Sequence, residues 1–191
     1  MKELIVATGN PGKLAEMQAY LRDLPLELQL KPPEIEIEET GQTFRENAIL
    51  KAVTVAKATG KNAIADDSGL RVDALNGAPG IYSARYGNTD RERIARLLRE
   101  LGDNPNRAAE FVCAVAIAAP DGSILVETEG KCQGEILYSA RGDGGFGYDP
   151  IFYVLAAKQT FAEMRSEFKR KISHRGQAFA KLMPLIRSIE L

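Results

Sequence analysis

Near the middle of the chain, Asp66 and Asp67 stand side by side, followed by Ser68 and Gly69. Two adjacent carboxylates repel each other unless a proton or a cation comes between them. A divalent metal satisfies that requirement, and oxygen-only ligands select Mg²⁺ over zinc. A polar turn with one acid capping backbone amides would give the same short pattern. The apolar run Asn62–Ala65 directly before the acids reads as a buried strand. The pair is therefore expected where a strand ends, a usual place for ligand chemistry in open α/β sheets.

Three further segments carry groups suited to a phosphorylated ligand. Thr8-Gly9-Asn10-Pro11-Gly12-Lys13 reads as a strand end, a glycine turn and a helix start. Backbone N–H groups and the helix dipole favour an anion there, and Lys13 adds charge. The segment lacks the spacing of a Walker A or dinucleotide fingerprint, and an ordinary strand-to-helix turn has the same composition. Gly144–Pro150 (GGFGYDP) sets Phe146 between glycines, so a flat ligand could approach its ring. Asp149 could accept hydrogen bonds from a base or sugar. Lys169–Gly176 (KRKISHRG) gathers cations before an expected helix; lysines there suit phosphates, and His174 and Arg175 can donate to a carbonyl. Glu38 and Glu39 form a second acidic pair, either of which could join Asp67 at a metal. Asn47 and Lys51 lie four apart on one helix face.

The elements that must position these groups follow from periodicity. Strands are expected at Leu4–Thr8, Leu26–Leu30, Asn62–Ala65, Glu110–Ala119, Ile124–Glu129 and Ile151–Val154, and helices at Pro11–Leu21, Thr43–Thr59, Asp90–Leu101 and Ser173–Ile189. Thr43 with Glu46 three residues on spells a capping box, and Gly60 closes that helix. Thr89 or Asp90 caps the next one. Asp121-Gly122 between two apolar runs signals a hairpin. Asn76–Gly80 and Gly142–Gly147 are loops. Strands and helices mix without strict alternation, which predicts a mixed sheet in one α/β domain spanning 1–191.

Composition narrows the function. The 191 residues carry 25 basic and 26 acidic side chains, a balance that argues against a broad nucleic-acid surface. No apolar run is long enough for a membrane span. A strand within the first eight residues leaves no room for a signal peptide, so a cytoplasmic location is expected. Cys113 and Cys132 read as core thiols. His174 is the only histidine, which excludes multi-histidine zinc sites and leaves catalysis to carboxylates, lysines and a metal.

Taken together, phosphate donors, an oxygen metal site, a stacking ring and carbonyl-reading donors are the parts of a nucleoside triphosphate site. The segments ATGNPGKLAEM, EETGQTFRENAILKA, AIADDSGLRVDALNGAPGIYSARY, GGFGYDPIFY and SHRGQA, in this order between Ala7 and Ala178, resemble the inosine triphosphate pyrophosphatase family, also called the Ham1 or RdgB type. The resemblance implies an elongated mixed β-sheet with flanking helices, in two lobes around a central nucleotide-binding groove. It implies hydrolysis of ITP, dITP and XTP to the monophosphate and pyrophosphate, with Mg²⁺ and as a homodimer. By position it makes Asp67 the general base and a metal ligand, with Glu38, or Glu39 beside it, as the other ligand. Thr8, Gly9, Asn10, Pro11, Gly12, Lys13 and Lys169 would hold phosphates, and Ser68 would touch the substrate. Phe146 would stack on the base, with Gly147, Tyr148 and Asp149 lining its pocket, and His174 and Arg175 would read the purine O6. A Maf-type pyrophosphatase acting on modified pyrimidine nucleotides is the neighbouring alternative, disfavoured by SHRG and GGFGYDP. A nucleotide-binding module without turnover is another, disfavoured by the intact acid set.

Overall fold

The computed structural model describes residues 2–189. Seven strands pair in the order β2-β1-β3-β4-β5-β6-β7: β1 Lys2–Val6, β2 Leu26–Leu30, β3 Ala63–Val72, β4 Ala108–Ala118, β5 Ile124–Ile136, β6 Phe152–Val154 and β7 Gln159–Thr160. Pairing of β1 with β2 and with β3 is parallel, while β5 with β6 and β6 with β7 are antiparallel. The sheet is therefore mixed, as the irregular alternation of elements predicts. Among the described residues five α-helices accompany it, α1 Pro11–Leu21, α2 Phe44–Thr59, α3 Asp90–Leu101, α4 Ser166–Ile172 and α5 His174–Ser188, and none of them is long and apolar enough to cross a membrane.

The chain divides into two compact units, one of 1–67, 113–130 and 176–191, the other of 68–112 and 131–175. The divisions fall inside β3, β4, β5 and α5. Each unit has its own apolar core. In the first, Leu4, Val6 and Ile64 pack with Met17 and Leu21 of α1 and with Phe179, Leu182 and Ile186 of α5. The Tyr20 ring stacks on Phe179 at 4.7 Å. In the second, Leu70 and Val72 of β3 join Leu97 and Leu101 of α3 and a group of rings, Phe111, Phe152 and Phe161.

The helix ends follow the sequence signals. Asn10 caps α1, its Oδ1 accepting from the Gly12 and Lys13 N–H groups at 2.9 and 3.3 Å, with Pro11 in the first turn. Thr43 caps α2, accepting from Glu46 N–H at 3.1 Å, and Glu46 returns to the N–H of Gln42 at 2.7 Å. Gly60 ends α2 in the left-handed region at φ +66°. Thr89, not Asp90, caps α3. The turn between β4 and β5 closes through Ala119 N–H on the Ser123 carbonyl at 2.9 Å, with Gly122 at φ +90°.

Three expectations need correction. The strand at Asn62–Ala65 runs on to Val72, so Asp66 and Asp67 lie inside β3 and not at its end. Partners explain this: each acid has its own lysine, and buried charges that are paired do not break a strand. The first strand ends at Val6, leaving Thr8 in the turn. The basic run at Lys169–Lys171 is the last turn of α4, where cations suit the helix dipole. A break at Ser173, extended at φ −66° and ψ 159°, separates α4 from α5.

Candidate active site

In the first unit the functional side chains converge on two neighbouring residues of β3. Alternation along a strand sends Asp66 and Asp67 to opposite faces. Asp66, fully buried at its side chain, pairs with Lys13 of α1 at 3.2 Å. Asp67 meets Lys51 of α2 at 2.8 Å. Lys51 also reaches Glu39 at 2.7 Å, so one ammonium bridges two carboxylates. The second oxygen of Asp67 accepts from Asn47 Nδ2 at 3.3 Å.

Helix α2 delivers both polar partners on its buried face. Phe44, Asn47, Ala48, Lys51, Ala52 and Val55 are all buried, at the spacing of one helical stripe. The long aliphatic stem of Lys51 suits that apolar stripe, leaving the ammonium for the acids. Burial pushes the Asp67 carboxyl above its usual range, against the pull of Lys51. Burial also opposes the charge of Lys51, but Asp67, Asp66 and Glu39 together hold its ammonium above the usual lysine value.

The turn from Thr8 to Lys13 is ordered by its own side chains. Thr8 Oγ1 accepts from Asn10 N–H at 3.1 Å, and Asn10 occupies two N–H groups of the α1 terminus. Gly9 leaves open space around its Cα. The expectation that the α1 N–H groups stand free for an anion therefore gives way: the cap takes them, and Lys13 is turned to Asp66.

The second unit holds the aromatic and donor groups. Asp149 is buried and accepts from Phe146 N–H at 2.9 Å and from Lys169 Nζ at 2.6 Å. A side chain at Gly145 would place its Cβ 2.0 Å from Asp149 Oδ2, and Gly145 sits at φ +73°. Only glycine lets the loop fold over that carboxylate. Gly147 N–H donates to Asp90 of α3 at 2.7 Å, a second anchor for the same loop. Phe146 itself is half-buried, with Lys169 Nζ 5.1 Å and the Arg175 guanidinium 6.0 Å from its ring centre. Arg175, only 2% exposed, donates to Ser68 Oγ at 2.9 Å. The imidazole of His174 stacks on Phe111 at 4.6 Å and 11°. Tyr148 is buried and its hydroxyl donates to the Ser83 carbonyl at 2.8 Å; burial raises its pKa.

The predicted residues thus assemble as two groups. Asp67, Lys13 and Glu39 fall in the first unit; Ser68, Phe146, Gly147, Tyr148, Asp149, Lys169, His174 and Arg175 fall in the second. Glu38 is exposed, and it is Glu39 that joins Lys51 and Asp67. Lys169 is tied to Asp149. Lys51 and Asn47, which the sequence offered only as a helical pair, prove to be the direct partners of Asp67. The readable signal was two polar residues inside an otherwise apolar stripe of α2. Among the described residues, no three His, Cys, Asp or Glu side chains cluster as a self-sufficient metal site.

Known proteins share this arrangement of sequence and fold. The dITP/XTP pyrophosphatase of a Nostoc species is 67% identical over 96% of this chain and 93% of its own length. That of a Synechocystis species is 67% identical over 96% of this chain and 94% of its own. Among solved structures, a HAM1 protein from Coxiella burnetii superposes with a TM-score of 0.89 at 44% identity, covering 99% of this chain and all of that one. The Staphylococcus aureus Ham1 protein gives 0.88 at 43% identity, covering 97% of this chain and 98% of its own. The sequence model of the Ham1 family matches residues 4–185, which takes in every polar side chain just placed around Asp67 and Phe146, and the chain belongs to that family.

Proposed function

We propose that the chain hydrolyses deaminated purine nucleoside triphosphates, ITP, dITP and XTP, between the α- and β-phosphates, releasing the nucleoside monophosphate and pyrophosphate. Its role is to clear such nucleotides from the cytoplasmic pool, and its working form is a homodimer. The observation that carries the reading is Asp67: a buried carboxylate with a raised pKa, held at one oxygen by Lys51 and at the other by Asn47. A carboxylate so tuned and fixed suits a general base that takes a proton from an attacking water. The names of the relatives given above support dITP and XTP among these substrates.

Triphosphate hydrolysis depends on neutralising charge and aligning water more than on a protein nucleophile. Lys13 and Lys51 supply cations in the first unit. The donor set there also fits Mg²⁺, which is commonly bound by one or two carboxylates and completed by substrate phosphates and water. Asp67, with Glu38 or the adjacent Glu39, would be those carboxylates. When bound, the ion would offset phosphate charge and polarise a phosphoryl oxygen. In the second unit, Phe146 offers a face for a purine, and His174 and Arg175 offer donors to O6. Lys169 adds a cation beside that ring.

The test is pyrophosphate release from ITP, XTP and ATP with Mg²⁺, then with EDTA, then with Mg²⁺ restored. Pyrophosphate is expected from ITP and XTP, little from ATP, and none under EDTA. Orthophosphate as the product, or equal turnover of ATP, would overturn the reading. Sedimentation at the mass of two chains checks the dimer.

A further inference from the structure

Asn47 is 2% exposed and makes two hydrogen bonds in opposite directions. Its Oδ1 accepts from Gly41 N–H at 2.8 Å, and its Nδ2 donates to Asp67 Oδ2 at 3.3 Å. The first bond fixes the orientation of the amide, because only the carbonyl oxygen can accept from Gly41. That leaves the NH₂ group facing Asp67. The loop before α2 is pressed against this same amide: a Cβ at Gly41 would lie 2.6 Å from Asn47 Oδ1 and 2.8 Å from Glu46 Cβ. Gln42 N–H on Glu46 and the Thr43 cap pin the loop further. Two residues upstream of Gly41 is Glu39, which meets Lys51 and through it Asp67. A single amide therefore links the loop carrying one carboxylate to the other carboxylate.

We propose that Asn47 is a positioning residue for the hydrolysis, setting the rotamer of Asp67 and the approach of Glu39 together; this rests on the reading of Asp67 as general base. Lys51 holds one oxygen of Asp67, but a single contact leaves the carboxylate free to turn about its axis. The Asn47 bond to the second oxygen removes that freedom. Groups that orient a catalytic or ligating carboxylate typically change activity 10- to 100-fold when lost.

Three substitutions separate the two halves of the amide. Asn47→Leu keeps the approximate shape and loses both bonds. Asn47→Asp keeps an acceptor for Gly41 N–H and loses the donor to Asp67. Gly41→Ala leaves Asn47 and Asp67 chemically intact but forces the loop off the amide. For each, kcat and KM for ITP are measured, with thermal melting and hydrogen exchange at the Gly41 amide. All three should lower kcat by about 10- to 100-fold, with KM near the parent value because the groups assigned to base and phosphates are unchanged. Exchange at Gly41 should stay slow in Asn47→Asp and become fast in Asn47→Leu. If the parent hydrolyses ITP and Asn47→Leu, folded, keeps its kcat, Asn47 only ties a loop to a helix and the proposal fails. If KM rises in step while kcat holds, the residue acts on binding and the proposal also fails. If the parent itself releases no pyrophosphate from ITP, the functional reading falls first and takes this role with it.

Discussion

Both units bury ion pairs, but the groups beside them differ. In the first, Lys13–Asp66 and Lys51–Asp67 sit on β3 with an amide, Asn47, and a further carboxylate, Glu39, beside them. In the second, the corresponding polar groups stand among rings: Lys169 over Phe146 and Phe161, Arg175 near Phe146, His174 stacked on Phe111. Buried ion pairs are weak sources of stability, because desolvation offsets much of their attraction. A protein that keeps two of them side by side on one strand holds charge there for chemistry. Rings beside donors suit a flat heterocycle instead, where a face is stacked and an edge is read. On the function proposed above, the first set of groups suits phosphates and the second a purine base.

The largest effect should come from the first unit. Asp67→Asn removes the base but not its shape, and kcat for ITP should fall on the order of 10²-fold or more. The substitution also takes a counter-charge from the buried Lys51 ammonium, which keeps Glu39, so melting of Asp67→Asn should be no higher than that of the parent. Near-normal turnover in the folded variant would remove Asp67 from the mechanism and blur the contrast between the units.

A smaller but sharper effect should separate base reading from phosphate holding. Hypoxanthine and xanthine offer a carbonyl at position 6, whereas adenine offers an amino donor. Donors facing that amino group are left unpaired, at about 1–3 kcal/mol for each. Arg175→Ala should lower kcat/KM for ITP much more than for ATP, shrinking their ratio by about tenfold or more, since 1.4 kcal/mol is a factor of ten. Lys13→Ala should weaken both nucleotides by similar factors, because phosphates are common to them. Equal losses with Arg175→Ala would assign that guanidinium to holding structure, its bond with Ser68 included, and not to reading the base.

How much of this was legible in the sequence depends on whether a residue's partner is local. Thr43, Glu46 and Gly60 announce the limits of α2 because their hydrogen bonds lie within a few residues. The turn Pro120–Ser123 is readable for the same reason. Asp66 and Asp67 looked like a strand end because two acids within a sheet are costly, and nothing nearby in the sequence reveals the lysines at positions 13 and 51 that neutralise them. Nothing nearby in the sequence separates Glu38 from Glu39 either; that Glu39 pairs with Lys51, twelve residues on, shows only in the fold. Asp149 reads as a ligand group in the sequence, yet much of its hydrogen bonding goes to Phe146 N–H and Lys169. The start of the last helix was legible to within a residue, at Ser173 against His174, whereas α4 was not, because its basic run Lys169–Lys171 reads as a charged lead-in and only the backbone shows a helix there.

The smallest effect tests how the second unit braces its glycine loop from outside. Glu163 pairs with Arg141 at 2.9 Å and accepts from Thr160 N–H at 2.7 Å, while Thr160 Oγ1 donates to the Arg141 carbonyl at 2.8 Å. Gly142 and Gly144 lie against Ala162 so closely that a Cβ on either would come within 2.7–2.8 Å of its backbone. Glu163 thus anchors the segment on which the loop rests. The Arg141 guanidinium and the Thr160 N–H hold its carboxyl well down, to about 2 from the usual 4.5. A depressed folded-state pKa gives stability that is present above the unfolded value and lost as pH falls through the folded one. The melting difference between the parent and Glu163→Gln should therefore be constant above about pH 5 and shrink from there towards pH 2. It should also shrink in high salt, because this pair is exposed to solvent and screened. The buried pair at Lys51 and Asp67 should be far less sensitive to salt. If the Glu163→Gln difference persists unchanged at pH 2 and in high salt, the brace is not electrostatic, and the contrast between this solvent-screened pair and the buried charge at Lys51 and Asp67 does not hold.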